Sequence, residues 1–142
     1  MDAELRKNVR LNLLGCIFEF SHLEFQRKVW LEAAFENYSS DYTEAICQYF
    51  NDLDLSSGLE KFLNEGFVTL KEFNILNKFH TELDNYTERP EKKTLSDKNI
   101  LLDVEWIEIT KMGKGVWEKL KSNIEDENEI NFMHNLEKEY LK

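Results

Sequence analysis

The chain has 142 residues, a formal net charge of −10 and 42% hydrophobic residues, with ten Phe, five Tyr and three Trp. Such a length suits one domain that buries roughly 70% of its unfolded surface, and the aromatic content excludes a disordered chain. The acidity repels phosphate and speaks against a nucleic-acid partner.

The first ten residues, MDAELRKNVR, carry acids and no apolar run, unlike a secretory signal. From Asp2 to Phe20 the apolar positions Leu5, Val9, Leu13, Cys16, Ile17 and Phe20 fall at spacings of three and four, which predicts one helix with one apolar stripe. The near-apolar run from Leu11 to Phe20 is interrupted by Asn12 and Glu19 and is too short to span a bilayer. A cytoplasmic location is therefore expected. Ser21-His22-Leu23-Glu24 has the form of a capping box, and a second helix follows to about Glu36.

Asp41 is placed to cap a third helix through Leu53, whose end carries Asp52 and Asp54 where the helix dipole disfavours carboxylates. Ser57 to Glu60 repeats the cap pattern before a short helix closed by Gly66, and Thr69 to Glu72 opens another that runs to about Tyr86. Residues 87–97, with the single proline, read as an exposed loop. The stretch Leu101 to Ile109 alternates as a strand does, yet Asp103 can cap a helix that continues through Leu120. A lone strand would lack a partner, so helix is favoured, with Gly113 and Gly115 marking a kink or a close helix contact. A last short helix is outlined by Ile130, Met133 and Tyr140. The fold class expected is all-α, a single-domain bundle of about six to seven short helices.

The charge is not spread evenly. Asp41 to Glu88 holds three lysines against ten carboxylates, a balance of −7, while residues 1–40 carry −1 and residues 89–142 carry −2. A focused acidic face suits a basic partner. Tyr38, Tyr42 and Tyr86 are expected to be exposed aromatics beside it, able to anchor an interface.

No catalytic signature stands out. His22, His80 and His134 lie on three different predicted helices, and neither HExxH, CxxC nor a phosphate-cradling glycine loop occurs. Cys16 and Cys47 are expected to be two buried thiols rather than a disulfide framework. A protein without catalysis, metal or cofactor is expected. An unrecognised enzyme would instead show a concave pocket with at least two convergent polar side chains.

From Phe25 to about Leu120 the chain resembles a family of small helical bacterial immunity proteins that occur beside polymorphic or contact-dependent growth-inhibition toxins. The resemblance rests on Phe25-Gln26 with Val29-Trp30-Leu31, on Tyr49-Phe50-Asn51-Asp52-Leu53-Asp54, on Phe62-Leu63, and on Leu101-Leu102-Asp103 with Trp106 and Ile109. Gly113 and Gly115 depart from the family's continuous helix there. The resemblance implies a monomer that forms a heterodimer with its cognate toxin domain, often a basic nuclease, and neutralises it by covering its active site. The partner-binding face expected is Tyr38, Asp41, Tyr42, Asp52, Asp54, Glu60, Glu65, Asp84 and Tyr86. The alternative is an acidic helical adaptor that binds another basic host protein.

Overall fold

The computed structural model describes residues 2–141, and the fold is all-α. Among the described residues nine helices run in the order α1 (Ala3–Ser21), α2 (Leu23–Glu32), α3 (Tyr42–Cys47), α4 (Glu60–Asn64), α5 (Leu70–Glu88), α6 (Pro90–Lys93), α7 (Asp97–Leu102), α8 (Val104–Asn123) and α9 (Glu127–Tyr140). A π-helical turn, Gln48–Asp52, continues α3. The count exceeds the expected six to seven for two reasons. The 87–97 segment is not a loop throughout, because Pro90 sits at the first position of α6, where its missing N–H costs nothing. Asp103 also divides α7 from α8, its carboxylate accepting from the Glu105 N–H at 3.1 Å.

The ambiguous stretch around Leu101 to Ile109 is helical on both sides of that cap. Asp41 and Thr69 cap as expected, and Thr69 with Glu72 forms a complete capping box. Two other cap readings are corrected. Ser21 belongs to α1, because its hydroxyl donates to the Ile17 carbonyl and, at 3.0 Å, to the carbonyl of Gly113. Ser57 caps nothing, since a turn through Gly58 at φ +122° delays α4 until Glu60. The second helix stops at Glu32, where Ala33 adopts a left-handed conformation.

Helix α1 is the central element. It packs against α8 along its buried half, and against α2, α3 and α9 around the rest of its circumference, while α5 covers α8. Gly113 permits the close approach: a Cβ there would lie 3.0 Å from the Phe79 ring and 3.1 Å from the Phe20 carbonyl oxygen. The predicted close contact is present, and α8 runs on unbroken. Around it Phe18, Phe20, Phe25, Trp106 and Trp117 are fully buried, each contributing about 2–3 kcal/mol of apolar burial. An aromatic column crosses this core, with Trp106 in contact with Tyr86, Tyr42 and Trp30 at centroid separations of 5.3, 5.3 and 6.0 Å. Among the described residues no helix is long and apolar enough to cross a membrane.

Candidate functional site: an acidic cleft over a buried carboxylate

Glu19 interrupts the apolar run of α1, and the structure places it in the core at 1% exposure. Position 19 follows Phe18 and precedes Phe20, so the helix that buries those rings carries the carboxylate inward with them. Three donors meet it there. Trp30 on α2 donates its indole N–H at 2.8 Å, Tyr38 its hydroxyl at 2.8 Å and Ser40 its hydroxyl at 2.7 Å. The latter two come from the connection between α2 and α3, which folds back through a Phe35–Tyr38 bridge over Phe25 and Tyr140. Both carboxylate oxygens are thus hydrogen-bonded, but no Lys, Arg or His forms an ion pair with Glu19 among the described residues.

Above Glu19 opens a cleft of about 320 Å³, lined by Tyr38, Ser39, Ser40, Glu44, Cys47, Gln48 and Asp52. The π turn explains part of this lining. Its wide i→i+5 bonds, Leu53 N–H to Gln48 at 3.1 Å and Leu55 N–H to Phe50 at 3.0 Å, keep Tyr49 and Phe50 buried and leave Asp52 exposed. Burial pushes the Glu19 carboxyl above its ordinary range, against the lowering pull of its three donors, and the Glu44 charge pushes it further up. Burial likewise pushes the Cys16 thiol up to about 12, with Glu19 and Asp52 adding to the effect. Cys16 is buried as expected, but Cys47 is exposed because α3 turns that side toward the cleft; both thiols are free.

Of the expected partner-binding residues, Tyr38 and Asp52 line this cleft and Asp41 caps the helix beside it. The three tyrosines are not exposed anchors. Tyr38 is half-buried with its hydroxyl on Glu19, Tyr42 packs on Trp30 and Trp106, and Tyr86 is 2% exposed with its hydroxyl donating to Asp103 at 2.8 Å. Helix ends that look solvated in sequence are covered here by ring packing. Asp54, at φ +58°, pairs with Lys61. Glu60 and Asp84 act on another group, the buried His80. Its Nδ1 lies 2.8 Å from the Tyr49 hydroxyl, and burial pulls the imidazole below its ordinary range while those two carboxylates push it back up. Glu65 is exposed at the end of α4.

Glu19, Trp30, Ser40 and Glu44 were absent from the expected face. The one local signal was Glu19 itself, a lone carboxylate within an apolar helical run. The cleft meets the geometric condition set for an enzyme, a concavity with convergent polar side chains. Among the described residues no group of three or more His, Cys, Asp or Glu side chains is placed to hold a metal ion. Comparison with protein-family models, with curated proteins and with solved structures finds no match to this chain.

Proposed function

We propose that this protein is an immunity-type inhibitor that binds a basic toxin domain, of nuclease type, through the acidic cleft, without catalysis. The observation that carries the reading is the buried Glu19 carboxylate, which has no ion-pair partner among the described residues and lies beneath Glu44 and Asp52. In a low-dielectric setting an unpaired negative charge projects an attractive field toward an approaching Lys or Arg. The resemblance to toxin-immunity proteins supplies the biological class, and the concentration of charge in residues 41–88 agrees with it.

A second reading has an observation in its favour. A carboxyl held above its ordinary range beside other carboxylates is how hydrolases prepare a general acid. Against it, both Glu19 oxygens already accept from Trp30, Tyr38 and Ser40, and the residue, though it lines the floor of the cleft, is only 1% exposed. With its oxygens engaged in this way, its main influence on a ligand is its charge.

The test is co-purification with the product of the gene immediately upstream at low and high salt, together with rescue of cells in which that product is expressed. A stoichiometric complex weakened by salt, and weakened further by the double change Glu44→Lys, Asp52→Lys, is expected. A complex indifferent to both would refute the cleft as the binding face. Binding to a basic protein whose toxicity is not relieved would favour the adaptor alternative.

A further inference from the structure

A second concavity, partly apolar, lies between α5 and α8. There a groove of about 250 Å³ runs along the two helices, with Tyr86, Ile109 and Met112 beneath it and Val104 at its end. Val104, at 70% exposure, and Leu102, at 67%, are the two most exposed large apolar residues among those described, and they flank Asp103 where α7 meets α8. Nothing in the fold requires this. The first position of α8 tolerates a polar residue, and an aliphatic side chain left in water there forgoes its burial.

The groove also carries an excess of carboxylates. Glu82, Glu105 and Glu108 stand along its sides; Arg89 and Lys92 both pair with Glu105, and Arg89 also with Glu91, so the acidity left to a partner is that of Glu82 and Glu108. Glu82 has no ion-pair partner among the described residues, and Glu108 has only the solvent-exposed Lys111. An apolar trough between acidic walls is complementary to one kind of occupant.

We infer that the α5–α8 groove docks a basic amphipathic segment of a protein partner, one or two aliphatic side chains entering beside Val104 and Met112 while flanking lysines or arginines meet Glu82 and Glu108. The volume suits side chains rather than a free small molecule, which takes roughly 300–1,000 Å³. The inference does not depend on the toxin reading, since it concerns a different face.

The probe is a synthetic amphipathic lysine–leucine peptide, titrated into the isotope-labelled full chain and followed by amide chemical shifts. Shifts centred on residues 82–89 and 104–112 are expected, with no binding by the leucine-to-serine peptide or by a glutamate–leucine peptide. Val104→Asp is expected to weaken binding roughly tenfold, the loss of one buried aliphatic contact. That variant suits the helix N-terminus, so its thermal midpoint stays near wild type. It also adds negative charge, so a weaker complex reports the apolar contact and not the field. Equal binding of the serine peptide, shifts centred on Glu44 to Asp52, or an unaffected Val104→Asp affinity would overturn the inference. So would sedimentation showing a dimer that Val104→Asp dissociates, because the groove would then serve a second copy of the chain.

Discussion

Two groups of charge are buried in this bundle, and they are built on opposite plans. Near the middle of α1, Arg10 lies between Glu72 of α5 and Glu129 of α9. All five of its N–H donors are used: two on each carboxylate and one shared with the Phe67 carbonyl at 2.8 Å, with distances from 2.7 to 2.9 Å. Burial alone would pull the guanidinium down, yet the hydrogen bonds of Glu129 and Glu72 hold it above its ordinary range; burial would push Glu72 up, yet Arg10 holds it down. Nine residues further along the same helix, Glu19 has hydrogen-bond donors and no cation. The first group is complete within the chain and ties three helices together. The second is satisfied in hydrogen bonds and left open in charge, under a cleft. Both line clefts, of about 450 and 320 Å³, so what separates them is charge: the first is matched within the chain and the second is left for a partner to match.

The largest effect that follows is on the closed group. Arg10→Met leaves two buried carboxylates facing each other and is expected to lower stability by about 3–5 kcal/mol in denaturant unfolding. A small loss would mean that water reaches the network and that the two groups differ less than their geometry suggests.

Glu19 separates its two roles on substitution. Glu19→Ala orphans the Trp30 N–H and its companion hydroxyls and is expected to cost about 1–3 kcal/mol. Glu19→Gln can keep them, its carbonyl accepting from Trp30 and Ser40 and its amide donating to the Tyr38 oxygen. The pH dependence then reveals the charge. Because burial raises the folded carboxyl, its favourable contribution is full below about pH 4 and is lost as the pH rises through the raised value. Thermal melts should therefore show Glu19→Gln gaining on wild type from about pH 4 toward neutrality. A constant difference across that range would show that Glu19 titrates normally and that the cleft holds no unpaired buried charge.

How much of this was legible depends on how far apart in the chain the causes lie. Asp41, Thr69 and Asp103 were recognisable as caps because each carboxylate or hydroxyl meets an N–H two or three residues away. Ser21 misled because the same hydroxyl finds a carbonyl on α8, 92 residues distant. Arg10 carried no signal at all, its partners lying 62 and 119 residues away. Glu44 and Asp52 of the acidic segment 41–88 line the cleft, but the residue at its base sits in α1, outside that segment. The tyrosines were misplaced for a similar reason: Tyr42 and Tyr86 stand at or near helix ends, and only the fold brings Trp106 between them.

The smallest effect is also the most direct test of the contrast, because it gives the open group the cation it lacks. Gln48 is exposed at the start of the π turn and lines the cleft, so Gln48→Lys places an ammonium beside Glu44 and Asp52 and within the field of Glu19. The new charge stays in water, and its gain in stability is expected to be at most about 1 kcal/mol. Its electrostatic effect is larger than its energetic one. The Glu19 carboxyl should fall toward the ordinary range in a side-chain carbon NMR titration, affinity for a basic partner should drop, and the salt dependence of that affinity should flatten. A peptide bound in the α5–α8 groove should be unaffected by the same substitution, since it meets a different set of carboxylates. If Gln48→Lys instead leaves both the Glu19 titration and the basic partner's affinity unchanged, the cleft is not the electrostatic centre of the molecule, and the unpaired carboxylate is a feature of the core alone.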